Sequence, residues 1–420
     1  MHSFAIHTLG CKVNQYETET IVNDFLERGF NLVDFSDRAD VYIINTCTVT
    51  GTSDHKSRQW ISRAVQANAG AIVVVAGCYA ERAKQEIEGI QGVDLIVGNP
   101  SKGKISKLVS QRLGTEFAPR GVRPVTQHFH TRSLVKAQDG CNNFCSFCIV
   151  PYVRGRPTSR PLEEIAEEMQ NLVNAGVKEI VLTGVNLGKY GLDLKPRLKL
   201  MDLLKAAEKI LVLARIRLSS IEANDLTTDV IALLASSPKF CRHLHIPLQS
   251  ADDEILKGMH RNYTCEEYLR TVGEIKRNIP GVALTTDVMV AFPGETKQQF
   301  ERTRLVMEKV AFRKAHVFKY SDRPGTAASH FPGKISFEVK ERRSRELLDL
   351  SCTLAENFLE AHVGKTLNVL VEKVGKDGCL TGLTDNYMRV HFEGEIDRKG
   401  KIVSVLIERR EKGSLHGRIV

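Results

Sequence analysis

Cys141, Cys145 and Cys148 form a C-x3-C-x2-C array inside QDGCNNFCSFCIVPY, the stretch from Gln138 to Tyr152. Three thiolates can hold one soft metal centre, and they leave one position of a four-coordinate site open. A structural zinc or a ferredoxin-type cluster would close with a fourth Cys or His, and none lies nearby in the sequence. The array reads as a site with room for a ligand. Phe147, between the second and third cysteines, is placed to shield a cluster and to pack against a planar ligand.

A second set of thiols emerges from the elements that carry it. Phe4 to Thr8, Val41 to Ile44, Ala71 to Ala76 and Asp94 to Val97 read as strands alternating with helices, one of which places Ile21, Val22, Phe25 and Leu26 on one face. Thr52 or Ser53 is the expected cap of the helix that carries Trp60. This is an open, mostly parallel α/β sheet. Cys11, Cys47 and Cys78 each follow one of its strands, and the carboxyl ends of parallel strands share one edge of the sheet, where such folds bind ligands. Taken singly, each is a small buried hydrophobe; together at equivalent positions they form a second three-thiolate site.

The cysteine loop opens a further βα series. Strands are expected at Ser133 to Gln138, Val177 to Leu182, Arg215 to Ser220, His243 to Leu248, Leu284 to Val290 and Ala315 to Tyr320, with helices such as Leu162 to Ala175 between them. Six βα units in this length make a partial (β/α)6 barrel rather than a closed eight-stranded one, with its active face at the strand carboxyl ends. That mouth gathers Thr183 to Asn186, Ser219 to Glu222, Gln249 with Ser250, and Pro293 to Thr296. Gly184 would permit close backbone approach to a ligand, and Glu222 and Gln249 offer partners for ribose hydroxyls or an amino-acid head group. His243 and His245 alternate on one strand, where packing or hydrogen bonding is the commoner role.

Composition limits the setting. The 420 residues are too many for one core, and 42% hydrophobic with 26% charged residues is a globular balance. No apolar run of membrane-spanning length and no signal-peptide pattern occurs, which points to a cytoplasmic protein without a membrane partner. Ten cysteines are too few for a disulfide scaffold and suit metal or redox chemistry in a reducing compartment. A net charge of +9 favours an anionic partner, nucleic acid first, against the plainer reading of a merely soluble basic surface.

The C-x3-C-x-aromatic-C loop after the first strand of a βα series resembles the radical S-adenosylmethionine superfamily. The resemblance implies that Cys141, Cys145 and Cys148 hold a 4Fe-4S cluster whose open iron is chelated by S-adenosylmethionine, cleaved to a 5′-deoxyadenosyl radical. Phe147 matches the family's aromatic position and Thr183 to Asn186 its glycine-containing cofactor loop; with the polar residues of the mouth, the expected cofactor contacts are Phe147, Gly184, Asn186, Ser220, Glu222 and Gln249. The runs TLGCKVNQYE, INTCTVT, AGCYA, QDGCNNFCSFCIVPYVRGR, LTGVNLGKYG, LHIPLQS and FPGET resemble the methylthiotransferases more closely. In that family Cys11, Cys47 and Cys78 would hold a second 4Fe-4S cluster that carries the sulfur or methylthio group. GCKVNQYE and CTVT are similar to the subgroup that acts on N6-threonylcarbamoyladenosine beside the tRNA anticodon. Isopentenyladenosine and ribosomal-protein methylthiotransferases remain alternatives, as does a non-catalytic metal-stabilised RNA-binding protein. The implied partners are tRNA, an electron donor and a sulfur source, and the protein is expected to be a monomer. No catalytic residue beyond the cluster ligands is assigned.

After a charged helix from Phe337 to Ala361, with Leu347, Leu348, Leu350 and Leu354 on its packing face, four short strands are expected: Thr366 to Val371, Cys379 to Leu383, Tyr387 to Phe392 and Ile402 to Ile407. This small β-barrel resembles the TRAM domain, an RNA-binding module. Tyr387, Arg389 and His391 alternate there, and Lys401, Arg409, Arg410, Lys412 and Arg418 add charge for a nucleic-acid backbone, although Glu393, Glu395 and Asp397 lie close. The expected architecture is α/β multidomain: residues 1–125 with the second cluster, 126–335 as the radical S-adenosylmethionine core, 336–361 as a helical connector and 362–420 as a TRAM-like domain. Cys241, Cys265, Cys352 and Cys379 are read as structural or incidental thiols.

Overall fold

The computed structural model describes residues 2–114, 131–375 and 378–420. The expected domain boundary at 125/126 lies outside the described residues. The chain forms two compact units. One comprises the N-terminal segment with Asp139–Thr158 and Ser321–Ser329, and the other contains Ser159–Tyr320 and His330–Val420 together with the strand segment ending at Gln138.

In the first unit five parallel strands run in the order Asn31–Leu32, Ser3–Thr8, Val41–Thr46, Ile72–Gly77 and Leu95–Val97. The two-residue edge strand escaped the sequence reading because it is too short to show periodicity. Both faces of the sheet are covered, as near-continuous apolar strands require. Phe4, Ile43 and Val74 pack with Val22 and Phe25 on one side. Ala5, Tyr42, Ile44 and Val75 pack with Ile61 and Ala64 on the other. The helix Gly51–Ala67 is capped by Thr50, whose side chain accepts from Ser53 N–H, not by Thr52 or Ser53. The chain turns helical two to three residues earlier than the apolar pattern indicates.

In the second unit the strands Arg132–Asp139, Glu179–Gly184, Arg215–Leu218, His243–His245, Ala283–Val290 and Lys314–Lys319 run parallel in chain order. Isolated bridges from Ile216 to Phe240 and from Ser220 to His245 join the third strand to the fourth, giving the six-stranded partial barrel. Alternate residues Ile180, Leu182, Ile216, Leu244 and Val288 pack in the apolar core with Met169, Val272 and Met307. The other face carries Glu179, Arg217, His245, Thr285 and Asp287, so period two separates core from lumen. Phe337–Glu360 is more than a connector: Leu347 is wholly buried in the barrel core. Leu348 is 43% exposed and lies off that face.

The C-terminal residues form a closed five-stranded barrel, ordered Thr366–Val374, Cys379–Thr384, Arg389–Glu393, Ser414–Ile419 and Ile402–Glu411. The fifth strand, Ser414–Ile419, was not expected; closure leaves no free edge. Tyr387 is not on a strand. It sits at φ 67°, stacked on His243 at 4.8 Å and under the guanidinium of Arg217 at 4.4 Å, while Arg132 donates to its hydroxyl at 2.9 Å. It therefore packs the small barrel against the floor of the larger one. Arg215 and Arg217 complete that floor, donating to the carbonyls of Leu383, Asn368, Thr384 and Asp385, with Glu179 between them. The basic residues nearby are largely paired with acids: Arg418 with Glu408, Arg410 with Glu360 and Lys401 with Asp397. Among the described residues no helix is long and apolar enough to cross a membrane.

Candidate active site

The carboxyl edge of the N-terminal sheet gathers Cys11, Cys47 and Cys78. Cys11 is the cap residue of the helix Lys12–Glu27, Cys47 follows Thr46 directly, and Cys78 begins the helix Cys78–Arg82. Gly10, at φ 100°, lets the first loop close against the second, since a Cβ there would lie 3.0 Å from Cys47 Sγ. Asn14 ties the same loops, donating to the carbonyls of Leu9 at 2.7 Å and Thr46 at 2.9 Å. Burial pushes the Cys47 thiol up; hydrogen bonds from Val49 and Ser53 oppose this, and the charges of Cys78 and Cys11 add to it. A cation bound beside Cys47 would reverse the sign of the charge interaction that opposes its ionisation.

The contiguous array lies in the same unit. Its loop is closed by Cys141 N–H donating to Gly155 O at 3.1 Å and Cys148 N–H to Cys145 O at 2.9 Å. Asn143 N–H points at Cys141 Sγ at 3.5 Å. Phe147 is half-buried in this loop. Phe144, at φ 46°, and Tyr152 stand more than half exposed, edge to face at 5.9 Å. All six cysteines are free of disulfides. The loop continues into the helix Val150–Arg154, and Ile149 and Val153 pack on Cys78.

In the second unit the remaining candidates lie at strand ends. Gly184 does allow a close approach, to Gln138: a Cβ would lie 3.0 Å from Gln138 Oε1, which accepts Asn186 N–H at 2.8 Å. Ser220 forms the bridge to His245, and Gln249 takes φ 59°, its N–H on Asp287 O at 2.8 Å. Glu222 is paired with Arg261, which the sequence reading overlooked; burial nevertheless pushes its carboxyl above the ordinary range. Thr296 is a helix cap, and Glu295 is buried against Arg343 at 2.6 Å, so that loop serves structure. His243 packs, as expected. His245 does more: its Nδ1 lies 2.9 Å from Thr285 Oγ1 and its Nε2 3.3 Å from Asp287, with His316 completing a group whose polar atoms lie within 4.8 Å of one another. The period-two pattern through His243–His245 and Ala283–Val290 carried this signal, but pairing across strands cannot be read from one strand.

Residues 135–306 match the Radical SAM superfamily, residues 3–98 the Uncharacterized protein family UPF0004, and residues 360–420 the TRAM domain. The chain is 42% identical to the threonylcarbamoyladenosine tRNA methylthiotransferase MtaB of Bacillus subtilis (strain 168), over 97% of this chain and 94% of that one. It belongs to the radical S-adenosylmethionine tRNA methylthiotransferase family. Another member, the tRNA-2-methylthio-N(6)-dimethylallyladenosine synthase of Carboxydothermus hydrogenoformans, is 37% identical over 100% of this chain and 99% of its own. In fold, the methylthiotransferase chain is similar to the radical S-adenosylmethionine methyltransferase TsrM from Kitasatospora setae, with TM-score 0.56 and 16% identity over 78% of this chain and 77% of that one. Similarity also extends to the cobalamin-dependent enzyme OxsB, with TM-score 0.51 and 11% identity, covering 86% of this chain and 56% of that one.

Proposed function

We propose that this protein is a cytoplasmic enzyme that converts N6-threonylcarbamoyladenosine at tRNA position 37 to its 2-methylthio derivative. The observation that carries the reading is near-full-length identity to threonylcarbamoyladenosine tRNA methylthiotransferases, 42% for the Bacillus subtilis protein and 39% for that of Aquifex aeolicus (strain VF5). The cofactors are two 4Fe-4S clusters and S-adenosylmethionine. The chemistry of the donor sets fits them: two groups of three cysteines outside any disulfide, with no fourth Cys or His in the same loop or beside the same strand ends among the described residues. In this reading Cys141, Cys145 and Cys148 hold the cluster that binds S-adenosylmethionine, and Cys11, Cys47 and Cys78 hold the second. When bound, these groups supply the electron, the carbon radical that opens the adenine C2–H bond and the sulfur that replaces hydrogen, chemistry that amino-acid side chains cannot provide.

The chain's own residues bind and orient. Phe147, Gly184, Asn186, Ser220, Glu222 and Gln249 are the proposed cofactor contacts. Asn143 N–H holds Cys141 Sγ in place, and the Arg261 pairing fixes the direction of the Glu222 carboxylate. The His245–Asp287–His316 group offers hydrogen bonds to a nucleotide in the lumen. The target base has to leave its stack to reach any of these groups. The protein works as a monomer with an external electron donor and sulfur source.

Mass spectrometry of tRNA nucleosides from cells with and without the gene tests the substrate. Loss of 2-methylthio-N6-threonylcarbamoyladenosine is expected. Loss of the 2-methylthio-dimethylallyladenosine nucleoside instead would favour the second reading, which the relative in Carboxydothermus hydrogenoformans supports.

A further inference from the structure

Two metal sites that act on one substrate atom need a fixed separation, because an error of about 1 Å in the placement of reacting groups can cost on the order of 100-fold in rate. In the first unit the loops that carry the six cysteines are joined by buried charged groups, and the cluster assignment above gives those groups no part. Arg154, whose side chain is 3% exposed, is the centre of one joint. It donates to Asp139 at 2.9 Å, two residues before Cys141, and to Glu17 at 3.0 Å and Asn14 Oδ1 at 2.5 Å on the helix that Cys11 caps. Asn14 in turn holds the carbonyls of Leu9 and Thr46, beside Cys11 and Cys47. Lys102 meets Glu17 at 2.5 Å, so two cations balance two carboxylates inside the joint. Next along the chain, Val153 O accepts from Asn99 Nδ2 at 2.6 Å, and the same amide lies 3.5 Å from Cys78 Sγ.

A second joint comes from Ser321–Ser329. Arg323, 4% exposed, donates from Nη2 to Thr48 Oγ1 and Asp54 Oδ2, both at 2.7 Å, directly after Cys47. Five residues on, Ala328 N–H donates to Ser146 O at 2.8 Å, between Cys145 and Cys148. One short strap therefore grips a loop of each site. Arginine suits both joints because its planar fork can hold several acceptors in one fixed geometry, which an ammonium on a flexible stem cannot.

We propose that Arg154 and Arg323 are positioning residues that set the separation of the two cysteine sites, so that radical formation at one is coupled to sulfur delivery from the other. The inference rests on the two-cluster assignment above. It is tested on the full reconstituted protein by comparing Arg154→Gln, Arg154→Lys and Arg323→Gln with wild type in three readouts: iron per chain, the ratio of 5′-deoxyadenosine to methylthiolated nucleoside, and the magnetic relaxation enhancement between the two reduced clusters. Arg154→Gln and Arg323→Gln should keep about eight iron atoms and raise the ratio about tenfold. The relaxation enhancement should change with the ratio, and Arg154→Lys should restore part of both. An unchanged ratio with unchanged relaxation enhancement overturns the proposal. So does iron loss in proportion to product loss in all three variants, which is the signature of a purely structural role. If wild type makes no methylthio product, the functional reading fails, and the relaxation enhancement still decides whether the arginines set the separation.

Discussion

The two cysteine triads reach the same thiol count by opposite routes. Cys141, Cys145 and Cys148 come from eight consecutive residues closed by local hydrogen bonds such as Cys148 N–H to Cys145 O. Cys11, Cys47 and Cys78 come from three strand ends and meet only because the sheet pairs Ser3–Thr8 with Val41–Thr46 and that strand with Ile72–Gly77. The loop site carries its geometry in its own turns. The strand-end site borrows its geometry from a sheet whose strands are spread over the chain from Ser3 to Gly77, so it should be the more sensitive of the two to changes in packing.

The sharpest way to break the comparison is to remove one thiol from each triad. Cys145→Ala should abolish S-adenosylmethionine cleavage and product together. Cys47→Ala should leave cleavage measurable as 5′-deoxyadenosine while methylthiolated nucleoside disappears. Product from the Cys47 variant would show that the strand-end thiols are not the second site.

The next largest effect separates the sites by shape rather than by ligand. Gly10→Ala places a Cβ 2.8 Å from Cys47 Cβ at a φ of 100°, and strain of this kind costs about 1–3 kcal/mol. Iron per chain should fall from about eight toward about four, with S-adenosylmethionine cleavage retained. Equal loss from both sites would mean that the loop array is no more self-sufficient than the sheet edge.

A smaller step tests how far the strand-end site depends on its support. Asn45 is buried and donates to Asn14 O at 2.9 Å and Thr18 Oγ1 at 3.0 Å. Asn45→Ala should destabilise the first unit by about 1–3 kcal/mol, read by chemical denaturation, and iron should leave the strand-end site at lower denaturant than the loop site.

The smallest effect serves as a control in the second unit, which carries neither triad. Asp385 is paired with Arg242 at 2.7 Å. Burial raises its pKa, but the hydrogen bond and charge of Arg242 outweigh burial, and the net shift is downward. A carboxyl held below its unfolded value of about 3.9 contributes stability that is present above that pH and lost as pH falls through the folded value. Thermal stability of the second unit should therefore decline below about pH 4 less steeply in Asp385→Asn than in wild type. The same slope in both would remove Asp385 from the acid response.

Much of this architecture was legible because its signals are local. The strands before each cysteine, the six βα units and the helix Leu162–Asn174 all showed their periodicity within a few residues. The elements that escaped were short, like Asn31–Leu32, or came after a turn near the chain end, like Ser414–Ile419. Among candidate site residues, the strand-end rule singles out Gln249 and Glu222, yet it gives no hint that Arg261 pairs with Glu222. Tyr387 was misread because alternation along one segment says which residues share a face, but not that Arg217 and His243 of distant strands would cover that face.

The sequence by itself determined the composition of each site: the spacing of the loop thiols, the placing of three more at strand ends, and the strand and helix periods that build a sheet, a partial barrel and a small closed barrel. These follow from side-chain chemistry and from periods of 2 and 3.6 residues, which act over short stretches of chain. Only the tertiary structure decided which charges meet. Arg154 reaches Glu17 across 137 positions and Arg323 reaches Asp54 across 269. Buried ions are tolerated only where partners from elsewhere in the chain complete them, and that completion has no local signature.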